Sequence, residues 1–197
     1  SGCDWSSDVC SSDLKQMPCF RIIYLFMDKL KNNYLNIPTI KTKRLILNSP
    51  LEKDYEIIQC FLKSERSKFI GGPYTNFTSW SDYMANIGHW SVFGYGLWSV
   101  RIKSSDDFIG RVGIISPPMF SEPDLAWQLF DGFEGKGYAY EAAKAVKDYV
   151  LENFKLPTFA SHILIDNKKS ILLAEKLSST KILKTITNRK FIVYMHK

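Results

Sequence analysis

Apolar residues recur along this chain with two spacings, and the switches between the spacings mark its predicted elements. Alternation of apolar and polar residues predicts seven strands, which lie at 40–48, 97–102, 108–115, 125–130, 159–165, 182–186 and 191–195. Spacings of three and four predict four helices, which lie at 51–63, from a cap at Ser79 or Ser81 to Gly94, at 138–153, and from a cap at Asp166 or Asn167 to about 177. A mostly antiparallel start followed by one strand-helix-strand unit predicts an α/β domain, with a mixed sheet of about seven strands and helices on both faces.

The first 36 residues do not share this pattern. Residues 6–10 and 11–14 nearly repeat one another, are rich in serine and aspartate, and have neither a helical nor a strand period. We therefore expect residues 1–36 to be an unstructured or non-native extension, with a natural start at Met17 or Met27, and residues 37–197 to be the folded domain.

Composition and charge narrow the possible partners. Hydrophobic residues make up 45% of the 197 residues and charged residues 23%, which are values of a globular chain. The net charge of +6 favours anionic partners. Because the lysines and arginines are spread out, no nucleic acid is expected. No apolar run approaches the roughly 20 residues of a membrane helix. We therefore expect a cytoplasmic protein without a membrane partner.

The cysteines give no sign of a metal site. They stand at positions 3, 10, 19 and 60, form no Cys-x-x-Cys pair and do not neighbour any of the three histidines. Neither zinc nor another metal is therefore expected. Cys60 lies within a helical pattern, and we expect it to be a buried thiol in a reducing compartment.

A turn with three glycines joins the strand at 125–130 to the helix at 138–153. Gly132, Gly135 and Gly137 leave several main-chain N–H groups uncrowded where a helix begins, and the first N–H groups of a helix lack intrahelical partners. Such a turn can bind a phosphate group. Taken alone, the segment also fits a tight bend without a ligand.

Two nucleotide-binding fingerprints do not match this turn. The mononucleotide P-loop requires a serine or threonine after its lysine to bind magnesium, whereas Lys136 is followed by Gly137 and Tyr138. The dinucleotide fingerprint requires a third glycine where Tyr140 stands, and an amino-terminal βαβ unit that this chain lacks. A phosphate group bound at this turn would therefore belong to another class of ligand.

Residues 134–139, Glu-Gly-Lys-Gly-Tyr-Ala, resemble the acetyl-coenzyme A loop of the GNAT N-acetyltransferases, and most closely that of the RimJ/RimL branch. The resemblance spans about residues 37–197. Further segments carry it in the family's order, at 42–47, 71–73, 88–90, 94–98, 109–113, 166–170 and 193–196. It implies the GNAT fold, whose sheet splays after the fourth strand. It also implies transfer of an acetyl group from acetyl-CoA, a cosubstrate, to a primary amine.

The resemblance implies a binding site for acetyl-CoA. Main-chain N–H groups at the turn and the helix start would hold the pyrophosphate, and they belong to Gly135, Lys136, Gly137, Tyr138 and Ala139. Gln128 and Leu129 would pair with the pantetheine arm, which Asn167 would also meet. Asn167 serves equally well as a helix cap, and Lys136 as a solvated side chain.

The resemblance also implies direct attack of the amine on the thioester, without an acyl-enzyme. Asp124 stands where the branch usually has a glutamate and is the candidate base, with Glu122 as a neighbour. Ser170 matches the serine that the RimL type is thought to use as acid, since Ala174 occupies the position of the family's tyrosine. The alternative for Asp124 is a solvated loop acid, and the alternative for Ser170 is a hydrogen bond to its own helix. We expect His89 to have a structural or acceptor-lining role.

The sequence leaves the acceptor open between a peptide or protein N-terminus and a small-molecule amine, and the assembly open between monomer and homodimer. A different class of function also stays open, a coenzyme A-binding sensor or scaffold without turnover. Departures from the family pattern suggest this alternative, and they stand at Asp124, Glu134, Ala174 and Ser178.

Overall fold

A computed structural model describes residues 36–154, 156, 158–177 and 180–197. The expected extension at 1–36 lies outside this part of the chain except for Asn36, and so does Ser178. The described strands are β1 (Ile40–Lys41), β2 (Leu45–Asn48), β3 (Leu97–Ile102), β4 (Phe108–Ile115), β5 (Asp124–Leu129), β6 (Phe159–Leu164), β7 (Thr180–Ile186) and β8 (Arg189–His196). The described α-helices are α1 (Tyr55–Lys63), α2 (Asn76–Phe93), α3 (Tyr138–Asn153) and α4 (Lys168–Leu177), and 3₁₀ turns occupy Glu52–Asp54 and Glu65–Ile70.

These strands form one mixed sheet in the order β1-β2-β3-β4-β5-β6-β8-β7. Neighbouring strands are antiparallel except β5 and β6, which are parallel and are joined by the crossover helix α3. The predicted α/β class and the mostly antiparallel mixed sheet are confirmed.

Helices cover both faces of the sheet, as predicted. The ring of Trp98 on β3 lies 6.1 Å from that of Tyr149 on α3, whereas the next residue, Ser99, donates a hydrogen bond to Asp54 ahead of α1. Successive residues of a strand point to opposite faces, so α3 and α1 lie on opposite sides. On the side of α1 and α2, a core cluster joins them to β4 and to the end of β5, through Ile58, Leu62, Tyr83, Phe108 and Phe130.

The first predicted strand is in fact a hairpin. Residues 40–48 alternate as one strand would, yet Ile40 pairs with Leu47 and Lys41 with Ile46. Thr42 forms the turn, because its hydroxyl accepts the N–H of Leu45 at 3.0 Å. The sheet therefore has eight strands in the described residues rather than the predicted seven.

Two local predictions on the helical side are wrong. The second helix is capped by Thr75, whose hydroxyl accepts the N–H of Thr78, and not by Ser79 or Ser81. Ser79 is buried inside that helix and donates to the carbonyl of Thr75 instead. Cys60, expected to be buried, is an exposed free thiol.

The sheet splays between β5 and β6, where Asp124 and Ala160 form their single register pair. Beyond that pair, side chains replace the main-chain ladder. The carboxylate of Asp124 accepts the main-chain N–H of His162 at 2.7 Å, and the hydroxyl of Ser161 donates to the carbonyl of Leu125 at 2.9 Å. These two bonds satisfy the main-chain N–H of His162 and the main-chain carbonyl of Leu125 where the strands diverge.

Candidate active site

Left-handed glycines deliver the chain to the start of α3. Gly132, Gly135 and Gly137 have φ angles of +84°, +75° and +79°, a region that favours glycine over other residues. Gly137 is the N-cap of α3, and among the described residues no side chain caps this end of the helix. The first N–H groups of α3 are therefore directed out of the helix without a capping acceptor, where the helix dipole favours an anion.

A polar cluster binds the start of α3 to the first hairpin. The carboxylate of Glu141 accepts the hydroxyl of Thr42 at 2.6 Å, the N–H of Arg44 at 2.8 Å and Nε of Arg44 at 2.6 Å. Arg44 also donates to the carbonyl of Lys136 at 2.8 Å, and its guanidinium lies 4.5 Å from the ring centre of Tyr138. Desolvation opposes ionisation of Glu141, but the hydrogen bonds from Thr42 and Arg44 outweigh it and lower the pKa. This cluster fixes both sides of the turn at Gly137.

The candidate site includes Arg44 and Glu141, which the sequence analysis did not assign. The available signal was that each lies in a segment that matches the GNAT pattern, Arg44 within 42–47 and Glu141 directly after the loop. Nothing in the sequence showed that these two segments meet.

A second cluster connects the other side of the glycine turn to the 3₁₀ turn that contains Arg66. Glu134 accepts the N–H of Gly132 at 3.0 Å and pairs with Nη2 of Arg66 at 2.5 Å. The other nitrogen, Nη1, pairs with Asp131. The unusual glutamate therefore braces the turn internally, and it shares the guanidinium of Arg66 with Asp131. The ammonium of Lys136 also turns back, donating to the carbonyl of Gly132 at 2.9 Å.

The gap between β5 and β6 presents main-chain groups of β5. Phe130 donates its N–H to Ile109 on β4, so the alternation of an antiparallel ladder leaves the groups of Trp127 and Leu129 at the opposite edge. The carbonyl of Leu129 accepts Nη2 of Arg66 at 2.9 Å, which leaves its N–H for another partner. The side chain of Gln128 bonds to β4 instead, since its Oε1 accepts hydrogen bonds from both Nε and Nη2 of Arg111, at 2.9 and 2.6 Å.

Ser170 and Asn167 lie at the start of α4 on the other side of this gap. Asn167 caps the helix, since its side-chain oxygen accepts the N–H of Ser170 at 3.3 Å. The hydroxyl of Ser170 accepts the indole N–H of Trp127 on β5 at 3.1 Å. Ser170 therefore contacts the strand that lines the gap, whereas Ala174 is buried in the core of α4.

Asp124 is not a solvated loop acid. It is the first residue of β5, its side chain is 10% exposed, and its Oδ1 accepts both the N–H and the ring Nδ1 of His162, at 2.7 and 2.9 Å. His162 was not among the predicted site residues. Its side chain is 0% exposed and stacks on Phe120 with 3.9 Å between ring centres. The alternation of β6 gave no signal for this contact, which depends on the splay.

His89 holds two segments together rather than lining an open site. Its Nε2 accepts the N–H of Ser116 at 2.9 Å, so its Nδ1 carries the proton and donates to the carbonyl of Tyr95 at 2.6 Å. Desolvation lowers the pKa of His89, and the bond to Tyr95 only partly opposes this effect. The neutral ring satisfies both partners, which supports the structural role expected for it.

The described residues contain neither a metal-binding cluster nor a membrane-spanning helix. No group of three or more His, Cys, Asp or Glu side chains in that part of the chain is placed to hold a metal ion. None of its helices is long and apolar enough to cross a membrane.

The sequence and the fold of this chain are similar to those of known acetyltransferases. The sequence profile described as "Acetyltransferase (GNAT) domain" matches residues 44–179. An acetyltransferase from Agrobacterium tumefaciens is 33% identical, with a TM-score of 0.75 over 83% of this chain and 96% of that one. A solved RimL ribosomal L7/L12 alpha-N-protein acetyltransferase, in complex with coenzyme A, shares the fold at 14% identity, with a TM-score of 0.64 over 80% and 97% of the two chains.

A curated relative matches a shorter segment. The uncharacterized protein YkkB of Bacillus subtilis is 31% identical over 87 residues, which are 43% of this chain and 51% of the relative. The match thus spans about half the length of that relative.

Proposed function

Because this chain belongs to the GNAT acetyltransferase family, we propose that it transfers the acetyl group of acetyl-CoA to a primary amine, by direct attack in a ternary complex. The observation that carries the proposal is the uncapped start of α3, which left-handed glycines present beside the gap between β5 and β6. The coenzyme A complex of the RimL protein, which shares this fold, supports the same ligand. Acetyl-CoA supplies an activated thioester when bound.

The residues at the turn fit a pyrophosphate group. We assign its binding to the main-chain N–H groups at the start of α3 and in the turn, those of Gly135, Lys136, Gly137, Tyr138 and Ala139. A Cβ atom at Gly137 would lie 3.4 Å from Nη2 of Arg44, so the backbone here is closely bordered by a cation. The ammonium of Lys136 is bonded to the carbonyl of Gly132, so we assign the main-chain N–H of Lys136, and not its side chain, as the donor to the pyrophosphate.

The gap beside β5 fits an extended amide chain such as pantetheine. The main-chain N–H of Leu129 lies on the edge of β5 that faces the gap, and the main-chain N–H and carbonyl of Trp127 lie on the same edge. We keep Gln128 and Asn167 in the proposed site as supports. The side chain of Gln128 is anchored by Arg111, and Asn167 orders the start of α4.

Ser170 is the proposed acid. Its oxygen accepts from Trp127, and among the described residues no group accepts the hydroxyl proton. That proton is therefore available for the thiolate that leaves when the new C–N bond forms and the C–S bond breaks. The thiolate, with an ordinary pKa of about 8.5, becomes a better leaving group when it is protonated.

Asp124 is the proposed base. An amine with a pKa of about 10 must lose a proton to attack. The carboxylate of Asp124, which lies where β5 and β6 begin to diverge, can accept that proton. The acceptor class stays a peptide N-terminus or a small amine. We propose the cytoplasm as the location, and a monomer or homodimer as the assembly.

Thiol release from acetyl-CoA, measured across a panel of small amines and peptides with free N-termini, tests this function. We expect release that depends on one class of amine, with the acetylated product identified by mass spectrometry. Tight coenzyme A binding with no release across the panel would contradict it and favour a sensor or scaffold.

The variant Ser170→Ala tests the assigned acid. We expect turnover to fall by about tenfold or more, with the affinity for coenzyme A unchanged. Ser105→Ala, in the exposed turn after β3, is the matched control and should leave both values unchanged. Unchanged turnover in Ser170→Ala would remove Ser170 from the mechanism.

A further inference from the structure

His162 is a buried polar side chain that the proposed reaction does not yet use. It lies on β6 where that strand diverges from β5, and it is held by Asp124 on one side and by the ring of Phe120 on its face. Its Nε2 is buried and makes no hydrogen bond with any described residue. A buried polar atom without a partner is rare in a folded protein and calls for an explanation.

The contacts of His162 determine where its proton lies. The Nδ1 atom is 2.9 Å from Oδ1 of Asp124, and a carboxylate oxygen can only accept, so Nδ1 carries the proton. A neutral ring then leaves a lone pair on Nε2. Oε2 of Glu122 lies 3.7 Å from Nε2, which is too far for a hydrogen bond, so no described acceptor requires a proton on Nε2.

These contacts divide the two oxygens of Asp124. Oδ1 accepts two bonds from His162, one from the main-chain N–H and one from the ring. Oδ2 accepts none from the described residues. A carboxylate fixed in this way presents a single free oxygen in a set direction, which is what a proton acceptor at a defined site requires.

We propose that His162 is a positioning residue for Asp124, whose Oδ1 it holds so that Oδ2 is presented to the acceptor amine. This inference rests on the proposed function, in which Asp124 is the base. One proton of the ammonium group passes to Oδ2, so that the carboxylate of Asp124 becomes a carboxylic acid, and the amine nitrogen bonds to the acetyl carbon. The C–S bond breaks, the thiolate takes the hydroxyl proton of Ser170, and the second proton of the nitrogen returns to the serine oxygen. His162 loses and gains no proton in that step.

The charged groups that face His162 come from three segments. They are Asp124 from β5, Glu122 from the segment before β5, and Lys184 from β7, which bonds Glu122 at 3.3 Å. The hydroxyl of Ser121 is the main cause that lowers the pKa of Glu122, so Nε2 faces a carboxylate.

Two variants at position 162 separate the hydrogen bond from the packing of the ring. The amide N–H of asparagine can replace the Nδ1 donor, whereas phenylalanine keeps the stacking on Phe120 and loses the donor. We expect His162→Phe to lower kcat by about tenfold or more with little change in KM for acetyl-CoA, and His162→Asn to stay within about threefold of wild type at pH 8.

Equal losses in both variants, or a folded His162→Phe with unchanged kcat, would overturn the proposal. A second measurement depends neither on turnover nor on the folding of a variant. Nitrogen-15 NMR of the histidine-labelled wild-type protein should show a neutral Nδ1–H tautomer for His162 at pH 8, and an Nε2–H tautomer would overturn the proposal. If that tautomer is found but no amine of the panel is acetylated, the proposed function has failed and the hydrogen bond has not.

Discussion

Arg44 and Glu141 join the first hairpin of the sheet to the first turn of α3, since both the N–H and the Nε of Arg44 donate to the Glu141 carboxylate, at 2.8 and 2.6 Å. The same arginine reaches the carbonyl of Lys136 in the glycine turn. The geometry of the proposed pyrophosphate site therefore depends on a pair of residues that need not touch the ligand.

The variant Glu141→Gln tests this dependence. The amide keeps one acceptor oxygen but loses the charge that pairs with Arg44, and a hydrogen bond to a charged group contributes about 1.5–3 kcal/mol. We expect the free energy of unfolding in urea to fall by about 1–2 kcal/mol and coenzyme A affinity, measured by calorimetry, to fall with it. Asp148→Asn is the control, because its pair with Lys144 on the same helix is exposed and screened by solvent, so it contributes little to stability. Equal effects of the two variants would contradict the assigned role.

Gly135→Ala tests the left-handed turn. Apart from its chain neighbours, no described residue has an atom within 4 Å of a Cβ built at Gly135, so the substitution strains the backbone at φ +75° without a clash. We expect a loss of about 1–2 kcal/mol in stability and weaker coenzyme A binding, because relief of the strain would reorient the N–H groups of the turn. Gly88→Ala, inside α2 and also without neighbours within 4 Å, should instead stabilise the protein by about 1 kcal/mol. Stabilisation by both substitutions would show that the turn does not require glycine.

The parts of this fold that the sequence predicted are those with local causes. Helix α3 was predicted with the bounds that it has, because its apolar rows and the glycines before it lie within one continuous segment. The last hairpin was placed correctly around Thr187 and Asn188, whose φ angles of +47° and +61° suit a tight turn.

The parts that the sequence did not predict depend on distant contacts. The turn that splits residues 40–48 into a hairpin is fixed in part by Glu141, 97 residues from Arg44, and the local alternation does not show it. His162 likewise fits the alternation of a strand. Its bond to Asp124 exists because β5 and β6 separate at that point, which is a property of the assembled sheet.

Glu134→Gln tests whether the acidic residue of the loop repels the ligand. Its carboxylate is paired with Arg66 and accepts the N–H of Gly132, and glutamine keeps the second contact. We expect coenzyme A affinity to stay within about threefold of wild type, since a partly exposed ion pair contributes about 1 kcal/mol at most. A much larger gain in affinity, measured by calorimetry at low salt, would show that the carboxylate acts on the phosphates.

Stability should fall as the pH is lowered from about 6.5 to about 4, because of His196. The ring is buried on β8, its Nε2 lies 3.0 Å from the hydroxyl of Ser161, and that hydroxyl donates to Leu125, so Nε2 carries the proton. Desolvation, with a smaller effect of Lys147, lowers the pKa of His196 from 6.5 to about 4. Between these values the unfolded chain binds a proton that the folded chain does not, which favours unfolding.

Urea unfolding of wild type and His196→Gln at pH 8, 7, 6 and 5 measures this effect. One pKa unit corresponds to about 1.4 kcal/mol, so we expect His196 to account for a loss of about 2 kcal/mol by pH 5. The lowered pKa of His89 adds to the loss in the same direction, and His89 remains in the variant. His196→Gln should therefore be less stable than wild type at pH 8 but show a distinctly flatter fall towards pH 5. A variant with the full wild-type slope would assign the loss to other groups and would show that His196 can be protonated in the folded protein.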